Sequence, residues 1–274
     1  MIYHMDEPIG ADPGFLPIYV LSKEVSKYNK VVLSGDGADE IFTGYDRYKL
    51  YYYGKTLRHF SFLKSNEILK RLNAMRNKDE FESFIEITRV FEKEELLKLG
   101  LTENIERNSW PRLNNVESLT KAQIFDIKTL LPKDFFMKSD KMTSSFGLEH
   151  RVPFMDYNIV EFGLSLPIKY KLRLFNEKRI LKSIAKDILP KEISKRRKHG
   201  FNVPIDYWFL NTLRKKLKFL LDNRTHILYQ QKYVYELLED LKKERNSNFK
   251  SRNIIAQKLW TILVFEMWHE KFMK

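Results

Sequence analysis

The stretch VVLSGDGADEIFTGY, residues 31–45, holds the clearest strand-to-turn-to-helix pattern of the chain. Its first three residues are apolar and mostly β-branched, and glycine follows soon after, which predicts a short buried strand. A glycine-rich turn between a strand and a helix usually binds a phosphate through its backbone N–H groups. This turn instead carries three carboxylates, Asp36, Asp39 and Glu40. Their negative charge needs an explanation.

The residues alone leave two explanations open. In the structural one, Asp36 is a turn residue and Asp39 or Glu40 lies in the first turn of a helix, where the helix dipole favours acids. That accounts for one or two acids, but not for two glycines alternating with acids directly after a strand. In the functional one, which we favour, Mg²⁺ lies between the carboxylates and the phosphates of a nucleotide and neutralises both. Ser34 and the Gly35 amide would then contact the nucleotide. The glycine spacing does not fit a Rossmann fingerprint, and the acids end too soon for an EF-hand.

The chain is strongly basic, and this charge limits the classes of partner that it can bind. Of its 274 residues, 49 are Lys or Arg and 36 are Asp or Glu, which gives a net charge of +13. Such a charge permits nucleic acid, acidic substrates or a membrane surface as partners. Because no run reaches five basic residues, we favour solvated lysine-rich helix faces. We therefore consider a nucleic-acid partner unlikely.

Other residue counts exclude whole classes of site. The chain has no cysteine, so these residues form no disulfide, thiolate metal site or cysteine nucleophile. The six histidines lack the spacing of a His-based metal site. The stretch MIYHMDEPIGADP at the start has no signal-peptide pattern, and no apolar run approaches the ~20 residues of a membrane span. We expect a cytoplasmic protein with no membrane partner.

After Ala38 almost every segment is helical in period. Apolar residues recur there at intervals of three and four, which predicts amphipathic helices. One strand alone makes no sheet, because a buried parallel strand needs neighbours on both sides. Two possibilities follow: an all-helical protein with one extended segment, or a sheet that is completed outside this chain.

Two further stretches are dense in charge. LLPKDFFMKSDKMTSSFGLEHRVPFMD, residues 130–156, contains Lys138, Asp140 and Arg151. Its structural explanation is an ordinary solvated helix that ends at the Arg-Val-Pro break. SKRRKHGFNVPIDYWF, residues 194–209, has Lys198 just before Gly-Phe, where a loop lysine can reach a phosphate.

Together these stretches resemble the synthetase domain of glutamine-dependent asparagine synthetases. The family shows DEP…ADP…P, LSGxGxDExFxGY, LPxDxxxKxDxxSM…LExRVPFxD and RxKxGFxxPxxxW. This chain reads DEPIGADPGFLP, LSGDGADEIFTGY, LPKDFFMKSDKMTSSFGLEHRVPFMD and RRKHGFNVPIDYW in the same order. The matches cover roughly residues 1–50 and 126–208. Thr43 stands where the family usually has glycine, and Asp36 where it often has glutamate.

The resemblance implies a fold and a partner. The family's ATP-pyrophosphatase loop, SGGxDS, lies upstream of the DEP segment, and neither this loop nor the N-terminal glutaminase domain occurs in these 274 residues. The expected fold is mostly α, as the C-terminal part of an α/β adenine-nucleotide α-hydrolase-like (PP-loop ATPase) synthetase domain with few strands. Residues 1–50 would end the nucleotide-binding core and residues 51–274 would form its helical part. The expected partner is an upstream half-domain or a glutaminase chain.

The resemblance also implies chemistry. The family joins ammonia to aspartate through β-aspartyl-AMP, with ATP and Mg²⁺, so aspartate or a related carboxylate is the expected acceptor. Two alternatives stay open: an amidotransferase of the same fold that acts on another carboxylate, and a non-catalytic truncated protein that binds a partner. The site residues implied are Asp36 and Lys198 as catalytic, Ser34, Gly35 and Gly37 on ATP, Asp39 on Mg²⁺, and Glu40, Lys138, Asp140 and Arg151 in support.

Overall fold

The protein is described by a computed structural model, which covers residues 1–10, 12–57, 71–105, 107–174, 176–194, 203–247 and 249–273. Most of these residues are helical, as the sequence predicts. The α-helices are α1 (Phe15–Val25), α2 (Ala38–Ile41), α3 (Asp46–Leu57), α4 (Glu80–Thr88), α5 (Lys93–Lys98), α6 (Ser118–Lys128), α7 (Phe136–Ser144), α8 (Tyr157–Ser165), α9 (Ile168–Lys171), α10 (Arg179–Ile188), α11 (Lys191–Ser194), α12 (Ile205–Leu210), α13 (Thr212–Asp222), α14 (Gln231–Lys243) and α15 (Phe249–Phe272). Short 3₁₀ turns lie at Ile2–His4, Arg107–Ser109, Pro153–Met155 and Glu244–Asn246.

A two-stranded parallel sheet replaces the single strand that the sequence predicts. β1 (Val31–Leu33) pairs with β2 (Glu149–Arg151) in the register Val31 to Glu149. The prediction that β1 is buried is wrong, because the side chains of Val31 and Leu33 are 39% and 70% exposed. The explanation of residues 130–156 as one helix ending at Arg151 is also wrong. The helix ends at Ser144, and β2 follows.

The approach to α7 contains a π-helical turn, Leu131–Phe135. Pro132 lies at its first turn, and proline cannot donate the backbone hydrogen bond of a regular α-helix. Such π turns occur often at functional sites. The turn leads directly into α7, which packs against both α1 and β2.

The core has two parts, and the acidic turn lies between them. The central cluster gathers α3, α4, α6 and α9 around residues such as Tyr48, Phe84 and Leu119. The C-terminal cluster gathers α12 to α15 with Phe15 and Met142. α2 packs on α6, whereas β2 packs on α7. The sheet and the turn after β1 thus connect the two clusters.

Within the described ranges, no helix combines the length and the apolar character that crossing a membrane requires.

Candidate active site

The acidic turn continues directly from β1. The Ser34 N–H donates to the Arg151 carbonyl at 3.0 Å, which extends the pairing with β2 by one residue. The Asp36 N–H then donates to Ser34 Oγ at 3.3 Å. Gly37 follows with φ of 86° and is the N-cap residue of α2. The carboxylates of the turn therefore stand at the carboxyl end of a parallel strand, where open α/β sheets usually bind ligands.

The two glycines of the turn differ in their surroundings. A Cβ at Gly37 would lie 2.5 Å from Met155 Sδ, so both its backbone conformation and this close contact require glycine. Gly35 is exposed, and a Cβ there would meet no atom within 4 Å. A ligand can thus approach the backbone at Gly35, whereas Gly37 shapes the turn.

Asp36 lies where three elements meet. Ser139 of α7 donates its Oγ–H to Asp36 Oδ2 at 3.2 Å. His150 of β2 places Nε2 3.5 Å from the same oxygen, and the Asp36 side chain is 33% exposed. The turn, α7 and β2 therefore converge on one half-buried carboxylate. A carboxylate held by a hydroxyl and an imidazole can orient a hydrogen-bond donor or accept a proton from it.

Asp39 has a lysine partner from a distant part of the chain. Lys178 Nζ lies 2.9 Å from Asp39 Oδ1, and both side chains are about one fifth exposed (23% and 21%). Lys178 has φ of 50° immediately before α10. A Cβ at Gly44 would lie 1.7 Å from Asp39 Oδ1, so this glycine leaves room for the ion pair.

Glu40 belongs to the interior. The residue is 1% exposed, and its Oε1 accepts the Tyr45 hydroxyl at 2.6 Å. Its Oε2 is buried and has no hydrogen-bond partner in the part of the chain that the structure describes. Burial raises the pKa of the Glu40 carboxyl, against the opposing effect of the Tyr45 hydrogen bond. Glu40 therefore lies on the interior side of the turn and helps to hold it in place.

A buried amide and a buried lysine hold α2 in place. Gln123 of α6 donates through Nε2 to the carbonyls of Glu40 and Ile41, at 2.5 and 2.6 Å. Lys171 Nζ donates to Gln123 Oε1 at 2.9 Å, and Lys171 is 0% exposed. These bonds satisfy carbonyls at the end of a four-residue helix, which lacks intrahelical partners for them.

Lys138 is buried with two carboxylates. Its side chain is 1% exposed, and Nζ lies 3.0 Å from both Asp12 Oδ2 and Asp134 Oδ1. Lys141, whose side chain is partly exposed, pairs with Asp6 at 2.7 Å. The acids of the N-terminal segment are therefore fastened to α7, and Lys138 supports this docking.

In the described part of the chain, Asp36 forms no hydrogen bond or ion pair with the four predicted supporting residues, Glu40, Lys138, Asp140 and Arg151. Asp140 is an exposed residue of α7. Arg151 is 61% exposed at its side chain and binds Glu149 Oε1 at 2.7 Å. The supporting role predicted for all four stays a prediction. Lys198, with the rest of residues 195–202, lies outside the described residues.

The described residues contain no group of three or more His, Asp or Glu side chains arranged to hold a metal ion. Mg²⁺ is usually held by one or two carboxylates together with substrate phosphates. Asp36 and Asp39 supply hard oxygen donors of that kind on one turn. The donor set thus fits a nucleotide-bound Mg²⁺, in which the phosphates complete the coordination.

Sequence reasoning missed Ser139, His150 and Lys178. Ser139 and His150 sit inside a stretch that the sequence did flag. The contact of His150 with Asp36 depends on β2, whose residues are all polar, and the contact of Ser139 depends on where α7 packs. Lys178 is 139 residues from Asp39, and its surroundings, NEKR, match no motif that we recognised.

Comparisons with known proteins identify the family of the chain. The asparagine synthase family model matches residues 1–270. Glutamine-hydrolyzing asparagine synthetase 1 of Bacillus subtilis is 30% identical over 294 residues, covering 98% of this chain and 44% of the relative. A putative glutamine-hydrolyzing asparagine synthetase of Mycobacterium tuberculosis is 27% identical, covering 100% of this chain and 44% of the relative.

More distant similarity extends to plants. Glutamine-hydrolyzing asparagine synthetase 1 of Arabidopsis thaliana is 26% identical over 224 residues, covering 78% of this chain and 28% of the relative. The chain spans less than half the length of these relatives. Because the family model covers nearly every residue, the chain belongs to the asparagine synthase family.

Proposed function

We propose that this chain forms part of an active site for ATP-dependent amide formation of the asparagine synthetase type. ATP would activate the side-chain carboxylate of aspartate as β-aspartyl-AMP, and ammonia would then displace AMP to give asparagine. The observation that carries the proposal is the position of Asp36, held by Ser139 and His150 at the carboxyl end of β1. The similarity to glutamine-hydrolyzing asparagine synthetases supports the reaction class.

In the first step, a carboxylate oxygen of the substrate bonds to the α-phosphorus of ATP, and the bond to pyrophosphate breaks. Both reactants are anionic, so the site must supply positive charge around them. Lys178 is fixed beside the turn by Asp39, and we expect Lys198 to act as a second cation. A Mg²⁺ bound with the nucleotide would neutralise phosphate charge and would be held by Asp36 or Asp39.

In the second step, ammonia attacks the activated carbonyl carbon, the bond to AMP breaks, and the attacking nitrogen loses a proton. Asp36 is the residue we assign to orienting the ammonia, because its carboxylate is half-buried yet reachable. His150 and Ser139 hold that carboxylate in position. Pre-positioning of this kind contributes to rate by reducing the reorganisation needed in the transition state.

The edge of β1 that does not pair with β2 supports the proposed partner. Among the described residues β1 has one neighbouring strand, β2, and its Val31 and Leu33 side chains are substantially exposed. An open strand edge favours pairing with another strand. We propose that the upstream half of the synthetase domain, which carries the SGGxDS loop in this family, pairs along this edge. A glutaminase would supply the ammonia.

Aspartate-dependent ATP–pyrophosphate exchange tests this proposal. The chain purified alone should show none, and adding the upstream half of the domain should restore it. Strong exchange by the chain alone would contradict the proposed half-site. Exchange that requires a different carboxylate would replace aspartate as the acceptor.

The assembled enzyme also tests Lys198 against the basic residues beside it. Lys198→Ala should slow adenylation by about 10²- to 10³-fold, because a charge-assisted contact that strengthens in the transition state is lost. Lys195→Ala should cost less than about tenfold. Equal small losses would make Lys198 one member of a solvated patch.

A further inference from the structure

The apolar stripe of α10 remains exposed in the part of the chain that the structure describes. Large aliphatic residues recur along this helix at intervals of three and four, at Ile180, Leu181, Ile184 and Ile188. Such a stripe normally faces the core, and the amphipathic helices α13 and α14 bury leucines of their own stripes. In α10 no residue is buried, and Ile184 and Ile188 are 50% and 73% exposed.

Ion pairs attach the start of α10 to the rest of the protein. Lys178, immediately before the helix, places Nζ 2.9 Å from Asp39 Oδ1. Lys182 Nζ lies 3.0 Å from Glu177 Oε1, and Glu177 Oε2 lies 3.2 Å from Lys49 Nζ of α3. The helix is thus held through its charged residues beside the acidic turn, whereas the apolar residues of its second half lie in solvent.

The exposed apolar residues continue past the end of α10. Leu189 follows the helix directly, and Ile193 lies on α11, which packs against α10. They are 43% and 52% exposed. Together with Ile184 and Ile188 they form what we call the aliphatic face. Single exposed apolar residues are ordinary, but four large ones within ten residues are typical of a surface that another molecule covers.

Two kinds of occupant fit the aliphatic face poorly. A second copy of the chain would bring together two molecules that each carry a net charge of +13, which opposes their association. A lipid surface would attract that charge, but helices that lie in a lipid interface commonly insert Trp or Phe as well as Leu. Residues 179–194 contain no aromatic residue.

The position of α10 favours the upstream half of the synthetase domain. Because Lys178 pairs with Asp39, the helix begins beside the turn that this half is proposed to complete. We propose that the upstream half packs an apolar surface against the aliphatic face, in addition to pairing along β1. This inference rests on the proposed function, because it takes the same upstream half as the partner.

The absence of cysteine from the chain makes the aliphatic face measurable. Ile188→Cys places a single thiol there, and its reaction with a maleimide can be followed by mass spectrometry of this chain. The upstream half, added at about ten times the Kd of the complex, should slow the reaction about tenfold, because roughly one chain in eleven then stays free. Ile227→Cys is the control, since Ile227 is 92% exposed between α13 and α14, and its labelling should not change.

A charged substitution tests the same contact through affinity. Ile188→Lys should weaken association with the upstream half roughly 10- to 100-fold, because an apolar side chain that docking buries is replaced by a charge. Excess upstream half should restore aspartate-dependent exchange to this variant, since the substitution affects docking and not the chemical step. Ile227→Lys should leave the affinity unchanged.

The outcomes distinguish this inference from the proposed function. If the two halves associate and catalyse exchange while Ile188→Cys stays fully reactive, the inference fails and the proposed function stands. If the two halves do not associate, both fail. Protection of Ile188→Cys by vesicles of anionic phospholipid, or by a rising concentration of the chain alone, would assign the aliphatic face to another occupant and overturn the inference.

Discussion

The two sides of the acidic stretch, residues 34–45, differ in burial and in partners. On the outer side, the Asp36 and Asp39 side chains are 33% and 21% exposed and contact groups from α7, β2 and the start of α10. On the inner side, Glu40 and Thr43 are 1% and 0% exposed. This single stretch of sequence thus contains residues that a ligand can reach and residues that hold the turn in place. Acidity alone did not separate them.

The lysines near the two sides differ in the same way. Lys178, beside the outer side, is partly exposed and forms an ion pair with Asp39. Lys171, behind the inner side, is fully buried and donates to the amide oxygen of Gln123. Burial lowers the pKa of the Lys171 ammonium to about 8. One lysine pairs with a carboxylate of the turn, whereas the other completes a chain of hydrogen bonds to α2.

The largest expected effect is on the outer side. In the enzyme assembled with its upstream half, Asp36→Asn should lower the rate of asparagine formation by about 10²- to 10⁴-fold. The variant loses the negative charge that orients the ammonia or accepts its proton. Its free energy of unfolding should change by less than about 0.5 kcal/mol, since Asp36 is partly solvated. Steady-state kinetics and chemical denaturation measure the two quantities.

Asp187→Asn is the matched control, because Asp187 is an exposed acid of α10. It should leave both the rate and the stability unchanged. A loss of stability in Asp36→Asn as large as its loss of transition-state stabilisation would place Asp36 among the structural residues and would remove the distinction between the two sides.

The next effect concerns Lys171. Its folded pKa of about 8 is below the usual 10.5, so the unfolded chain binds more protons between these values. Stability should therefore rise with pH in this window, by roughly 2–3 kcal/mol between about pH 8 and pH 10 relative to Lys171→Met. Denaturation curves of both proteins across this range measure the difference. Lys169→Met, at an exposed position on the same helix, should follow the wild-type pH dependence.

These contacts show which parts of the structure could be predicted from the sequence. β1, the turn and most helices were predictable, because they depend on local hydrophobic period and on glycine. β2 was not, because Glu149, His150 and Arg151 show no apolar alternation and form a strand only by pairing with β1. Which helix side chains reach the turn was also hidden.

The long-range contacts follow the same rule. Gln123 reaches the Glu40 carbonyl from 83 residues away. Contacts of this kind arise from packing between elements that a single sequence does not place. The predicted roles of Lys198 and the supporting role of Asp140 stay predictions, whereas the partners of Asp36 and Asp39 came from the structure.

A smaller effect concerns Thr43, a β-branched residue with φ of 59° where the family usually has glycine. The left-handed conformation costs a non-glycine residue about 1–2 kcal/mol. Thr43→Gly should relieve this cost but should also lose the burial of the threonine side chain. Because the two effects oppose each other, stability should change by less than about 1 kcal/mol. Thr143→Gly, at a buried position within α7, gains no such relief and should cost about 2 kcal/mol. Equal losses in the two variants, measured by chemical denaturation, would show that Thr43 is not strained.

The last expected effect concerns Glu40, on the inner side. Burial raises its pKa in the folded protein, so its contribution to stability is complete below the pKa of the unfolded chain and declines as pH rises through the folded pKa. Glu40→Gln keeps the shape and an acceptor for the Tyr45 hydroxyl but never ionises. Denaturation at about pH 4 should therefore give similar stabilities for both proteins, whereas at pH 7 the variant should be the more stable of the two. Glu236→Gln, at an exposed position, should show no such pH dependence. A variant that is less stable than the wild type at pH 7 would mean that the charged Glu40 is stabilised by its neighbours. The turn would then carry ionised carboxylates on its inner side as well as on its outer side.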